Sequence, residues 1–158
     1  MNQYLQDILD ESIQLELNAA DLYMLFFEEF PADSDFWWKL VIEEKNHAAL
    51  LKSIRDIFQE VAGVPENLFP GSPEELEKAN SRIREQTELF RANRPTREKA
   101  FNTALALEEN AGEIHFQGFM ENSDDDSVSQ VFKQLNGEDK NHARRLQEYM
   151  EENGIPTH

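Results

Sequence analysis

The sequence predicts an all-α protein: a bundle of four long helices with one long crossover that carries a short extra helix. Three observations predict it. Apolar residues recur at intervals of three and four over long segments, and no segment alternates as a strand does. Glycine and proline are confined to a few places: Pro31, the stretch from Gly63 to Pro73, Pro95, Gly154 and Pro156. The chain of 158 residues is the size of one domain, long enough to bury a substantial core without covalent staples.

The elements follow in order within a single domain, 1–158. Helix A spans 2–30 and stops before Pro31. Helix B spans 35–61, with Ser34 as its N-cap, and fades near Gly63. The crossover, 62–95, contains a polar helix over 73–92. Ser72-Pro73-Glu74-Glu75 opens it with a capping serine, proline at the first position and glutamate at the third. Helix C spans 97–122, after the break at Arg94-Pro95-Thr96. Helix D spans 124–153: Ser123 caps it, Asp124, Asp125 and Asp126 suit its positive end, and Gly154 stops it. Short A–B and C–D turns make antiparallel hairpins. The crossover, roughly 35 residues, is long enough to traverse the whole bundle.

Composition excludes several classes of function. The formal charge of −17 repels phosphate backbones and anionic headgroups, so neither nucleic acid nor membrane is an expected partner. The chain has no cysteine, which rules out disulfides, thiolate metal sites and cysteine nucleophiles. The opening MNQYLQDILDESIQ lacks the basic and apolar regions of a signal peptide, and no run approaches the roughly 18 apolar residues of a bilayer span. A soluble cytoplasmic protein is the expectation. No P-loop, G-x-G-x-x-G or G-x-S-x-G motif occurs.

Charged residues sit where core is expected. The helix A stripe reads Leu5, Leu9, Glu16, Ala19, Tyr23, Phe27, Phe30. Helix B reads Trp37, Val41, Glu44, His47, Leu51, Ile54, Phe58. Helix C reads Phe101, Leu105, Glu108, Ala111, His115, Phe119. Helix D reads Val128, Phe132, Leu135, Asp139, His142, Leu146, Tyr149. Each stripe is interrupted near its middle by an acid, or by an acid and a histidine. Unpaired buried carboxylates are very costly and four together repel one another. Two divalent cations cancel the charge of Glu16, Glu44, Glu108 and Asp139. Residues three apart share a helix face, so Glu44 with His47, and Asp139 with His142, can each aim an oxygen and a nitrogen at one point. Carboxylate plus imidazole suits iron, manganese or zinc.

The pattern repeats. Glu43-Glu44-Lys45-Asn46-His47-Ala48 aligns with Glu138-Asp139-Lys140-Asn141-His142-Ala143, and Leu15-Glu16-Leu17-Asn18-Ala19 with Leu107-Glu108-Glu109-Asn110-Ala111. Two such hairpins, related by a pseudo-two-fold axis, would surround a pair of ions.

These residues resemble the ferritin-like di-iron carboxylate superfamily, and within it rubrerythrin-type proteins that lack a rubredoxin domain. The resemblance implies a ferritin-like four-helix bundle and two metal ions per chain, iron being favoured over manganese or zinc. It implies metal ligands Glu16, Glu44, His47, Glu108, Asp139 and His142. Tyr23 and His115 would touch the ligand carboxylates from behind, and His115 could also ligate directly. The chain departs from the family at Asp139, where glutamate is usual and Glu138 could substitute. It departs again at Ala111, where many rubrerythrins carry a further glutamate. The activity implied is non-haem, rubrerythrin-like redox chemistry on O2 or peroxide, as a di-iron oxidoreductase of peroxidase or oxidase type. An external electron donor and a homo-oligomer, a dimer above all, are implied with it. The alternatives are a ferroxidase of the iron-storage type and a bundle with a structural metal pair.

Overall fold

The computed structural model describes residues 3–60, 72–122 and 141–158, with side chains placed throughout except at 5, 58–60 and 111–122. Among these residues the chain is all-helical. Helix α1 is Gln3–Glu29, a 3-10 turn covers Pro31–Asp33, α2 is Ser34–Glu60, α3 is Pro73–Ala92 and α4 is Arg97–Asn122. Helix α5 is described over residues 141–152. No described helix is long and apolar enough to cross a membrane.

Helices α1 and α2 form an antiparallel pair. Arg55 donates to Asp10 at 2.6 Å near one end, and Phe26 meets Trp37 at 4.9 Å between ring centroids near the other. The turn between them is tighter than helix-stop signals alone suggest. Helix α1 ends at Glu29, before Pro31 as expected; Phe30 leaves the helix (φ −124°, ψ 77°) and Pro31 then starts the 3-10 turn. Ser34, expected as the N-cap of the second helix, is itself helical (φ −56°, ψ −42°) and closes the 3-10 turn with its backbone N–H on the Pro31 carbonyl. Asp33 in this turn is buried, and it ties the end of the molecule together. Arg97 of α4 grips it with two hydrogen bonds, of 2.8 and 2.7 Å, and the Tyr149 hydroxyl of α5 donates to it at 2.8 Å. Burial alone would raise the Asp33 pKa, but these donors hold it below its ordinary value.

Helix α3 starts as its sequence dictates. Ser72 accepts from the Glu75 N–H at 3.2 Å, while the Glu75 carboxylate reaches back to the Ser72 N–H, completing a capping box. It then runs parallel to α1. Leu76, Asn80, Ile83, Thr87 and Phe90 are buried at alternating steps of four and three, the spacing of one helix face. Asn80 is fully buried: it accepts from Asn18 at 2.9 Å and donates to the carbonyl and carboxylate of Glu11 at 2.9 and 2.7 Å. Helix α1 is therefore covered on two sides. Glu16, Ala19, Tyr23 and Phe26 form the face toward the centre, and Leu15, Leu22 and Leu25 are also buried. The inward aromatic after Tyr23 is Phe26, not Phe27, which is half-buried against Trp38. A step of three and a step of four both keep a helix face, so the stripe alone could not choose between them.

Thr96 opens α4 by accepting from the Lys99 N–H at 3.1 Å. At the far end Gly154 takes φ +65°, and the Ile155 N–H bonds the Met150 carbonyl at 2.8 Å while Gly154 N–H bonds that of Glu151 at 3.2 Å. That is a Schellman stop, and Ile155 is buried beside it. The bounds expected for helix D before residue 141, and the stretch from 61 to 71, lie outside the described residues.

Asn80→Ala leaves the buried Asn18 amide N–H without its acceptor and removes both donations to Glu11, and is expected to destabilise the fold by about 1–3 kcal/mol. Urea unfolding measures it; a change below about 0.5 kcal/mol would show that α3 docks without the amide clamp.

Candidate metal centre

The centre is built from residues that sequence places at one depth on four helices. Glu16 of α1, Glu44 and His47 of α2, Glu108 of α4 and His142 of α5 are all buried, none more than 7% exposed. They form two groups that could hold metal ions: Glu16, Glu44 and His47 in one, and Glu44, Glu108 and His142 in the other. Within each, one donor atom per residue lies within 4.8 Å of the others. Glu44 belongs to both.

The two halves mirror each other. The Nδ1 of His47 stands 3.2 Å from one oxygen of Glu44 and 3.5 Å from Glu16. The Nδ1 of His142 stands 2.9 Å from the other oxygen of Glu44 and 3.5 Å from Glu108. The imidazoles lie nearly parallel, 5.4 Å apart and inclined by 15°. Each histidine thus has one single carboxylate and one half of a shared one. The sequence pairs Glu44 with His47 alone; the shared role appears only when α5 brings His142 to its other oxygen.

One pair of atoms tests whether a cation fits. Glu44 Oε1 and His142 Nδ1 are 2.9 Å apart, close enough to pair when the imidazole is protonated, and neither atom has a further hydrogen-bond partner among the described residues. Buried polar atoms rarely stay unpaired. When the imidazole is neutral, the same oxygen and nitrogen are placed to bind a common cation. The set of three carboxylates and two imidazoles is chemically suited to first-row divalent ions.

Groups behind the donors orient them. The other ring nitrogen of His142, Nε2, lies 2.9 Å from Glu43, and Arg145 holds that carboxylate with contacts of 3.0 and 2.9 Å. Burial would raise the Glu43 pKa, but His142 and Arg145 pull it down to about 2. This carboxylate–imidazole pairing fixes which nitrogen faces the centre. On the other side the Tyr23 hydroxyl donates to Glu108. Burial, followed by the charge of Glu108, drives the Tyr23 pKa well above its ordinary value, so the phenol keeps its proton. Tyr23 therefore sits where the sequence reading puts it, against a proposed ligand.

Of the six expected ligands, five are brought together. Asp139 lies outside the described residues, as does Glu138, and the His115 side chain is also outside them. Glu43 and Arg145 were not singled out from the sequence. The signal for Glu43 was its place in the repeat, directly before Glu44 as Glu138 stands before Asp139. Arg145 has no such signature.

Without a cation, the histidines carry the compensating charge. Burial would lower the His47 pKa, but the carboxylates of Glu16 and Glu44 outweigh it and raise it to about 11. Glu108, Glu43 and Glu44 likewise outweigh burial and raise that of His142. A group raised in the fold stabilises it fully below its unfolded pKa, about 6.5 for histidine, and loses that contribution as pH climbs through the folded value. The melting temperature of the metal-free protein should therefore fall as pH rises from about 6.5 toward about 11. Loading with Zn(II) at neutral pH should release about two protons per chain, because imidazole must be neutral to ligate. Calorimetry in buffers of different ionisation enthalpy counts them, and zero release would contradict the charge assignment. Glu43→Gln should weaken Zn(II) binding about 10- to 100-fold with little loss of fold, measured by competition with a chelating dye. Compared with protein-family models, curated proteins and solved structures, the chain has no match.

Proposed function

We propose that this chain is a rubrerythrin-like di-iron protein: a ferritin-like four-helix bundle in which α1, α2, α4 and α5 are the bundle helices and α3 lies in the crossover. The single observation that carries the reading is the sharing of Glu44 between two mirrored buried donor groups. One carboxylate that belongs to two acid–imidazole sets is arranged for a pair of ions, not for one. The resemblance of the repeated acid-x-x-His segments to the di-iron carboxylate superfamily supports the same reading.

The chain's residues have distinct tasks in it. Glu16 with His47, and Glu108 with His142, would each hold one ion, and Glu44 would span both, with Asp139 as a sixth ligand. Iron bound there supplies one-electron redox changes and a position for O2 or peroxide. Glu43 and Arg145 keep His142 aimed inward. Tyr23 holds its proton on Glu108 and so keeps one oxygen of that carboxylate in place. Leu9, Leu51, Leu105 and Leu146, one or two turns from the donors on the same four helices, are buried and add apolar bulk to the core. The reaction class is oxidation of the reduced pair by peroxide or O2, closed by an external reductant. Trp38 and Ile42, exposed one turn apart on α2, support a dimer through that face, and sizing separates a dimer from a storage shell.

Stopped-flow mixing of the Fe(II)-loaded protein with peroxide, and separately with O2, tests the activity. Oxidation with at least one oxidant should exceed that of free ferrous ion by about tenfold or more, equivalent to about 1.4 kcal/mol of barrier. Glu44→Ala should abolish the gain. If neither oxidant reacts faster than it does with free ferrous ion, the redox reading fails.

A further inference from the structure

We infer that the depression between α2 and α5 is where the external reductant docks, and that this reductant is a neutral hydroquinone; the inference rests on the di-iron reading above. The depression has a volume of about 630 Å3. Small-molecule sites span roughly 300–1,000 Å3, so it suits a small molecule and not a protein donor. Glu43 and Arg145 are part of its lining. Glu43 lies 2.9 Å from Nε2 of His142, so a molecule resting on Glu43 is one hydrogen-bonded carboxylate away from a proposed metal ligand. The depression thus opens to solvent on one side and reaches the back of the centre on the other.

The lining selects the chemistry of the occupant. Phe36 and Tyr149 both line the depression, and their rings stack with centroids 4.2 Å apart and planes inclined by 28°. Both are half-buried, and the Tyr149 hydroxyl is held by Asp33 at 2.8 Å. They offer fixed apolar surface for a flat ring to pack on. Around them five carboxylates face two cations, Lys39 and Arg145. Three of the acids already have donors: Asp33 has Arg97 and Tyr149, Glu43 has Arg145, and Glu148 has Arg144. Asp35 and Glu152 are exposed, and their side chains have no partner among the described residues. An anionic reductant meets an excess of negative charge here, on a chain of net charge −17. A neutral ring with two hydroxyl groups meets the reverse: aromatic surface for its face and free acceptors for its O–H groups.

The electrons and protons balance. Hydrogen peroxide takes two electrons from the reduced pair and two protons from solvent, breaks its O–O bond and forms two waters. One hydroquinone then gives two electrons to the oxidised pair by way of Glu43 and His142. Its two hydroxyl protons go to solvent through the exposed carboxylates Asp35 and Glu152, and it leaves as the quinone. The sum is peroxide plus hydroquinone giving two waters plus quinone, and no proton rests on a proposed metal ligand. The quinone has no O–H to donate, so the acids that hold the reductant release the product.

The experiment titrates the metal-free protein with hydroquinone in the absence of oxygen and follows binding by NMR. Binding should saturate in the wild type and be about tenfold weaker for hydroquinone sulfonate, which carries a negative charge. Ala32→Trp puts an indole into the depression from an exposed position and should weaken hydroquinone binding by about tenfold or more. Asp35→Asn combined with Glu152→Gln, both exposed, should weaken it by about tenfold through the lost charged acceptors. In iron-loaded protein oxidised by peroxide, the rate of iron reduction should saturate with hydroquinone. Ala32→Trp should lose that saturation while peroxide oxidises its iron as before. Binding that does not saturate, binding undiminished in both variants, or sulfonate bound as tightly would overturn the docking site alone. Saturable binding with iron reduction that does not follow it would overturn the reductant role. Iron that peroxide does not oxidise would overturn the di-iron reading and the reductant role with it.

Discussion

The arrangement depends on one carboxylate, Glu44, which stands in the dry interior with a histidine and a second glutamate on each side of it. Three acids buried together, Glu16, Glu44 and Glu108, repel one another, and nothing apolar around them can absorb that charge. Compensation has to come from cations, either protons on His47 and His142 or metal ions among the donors. Both choices use the same geometry. The four helices can therefore meet at this level only if the imidazoles of α2 and α5 arrive on opposite oxygens of Glu44, and their distances of 3.2 and 2.9 Å show that they do. The position of α5 against α2 is fixed by the same contact and reinforced by Glu43 and Arg145.

Stability and site chemistry are separated along the length of the molecule. At one end, Asp33 with Arg97 and Tyr149 joins the first turn to α4 and α5 through charge-assisted hydrogen bonds. On the flank, the amide pair Asn18–Asn80 sets how α3 lies on α1. The repelling carboxylates of the centre are thus held by a frame with anchors of its own, so that a site breaking the usual rules of burial is offset by consistent structure around it.

Much of this was legible in the sequence because buried charge is rare enough to be a signal. Glu16, Glu44, His47, Glu108 and His142 interrupt apolar stripes, and the structure buries all five. The cap at Ser72 and the stop at Gly154 were equally plain, since each depends on local chemistry alone. What sequence did not reveal needed the third dimension. The α3 helix looks polar, and its buried face includes Asn80 and Thr87, so an apolar-periodicity reading passes over the contact with α1. Phe26 and Phe27 are adjacent, and only packing on Trp37 selects the first. The shared role of Glu44 and the hold of Arg145 on Glu43 join residues about a hundred positions apart on different helices.

The account's central claim is that Glu44 is common to two ions. A crystal structure of the iron-loaded protein, with anomalous difference maps collected across the iron edge, tests it most directly. The predicted result is two peaks per chain, one beside Glu16 and His47 and one beside Glu108 and His142, with an oxygen of Glu44 on each. A single peak, or two peaks with Glu44 turned away from either, would contradict it.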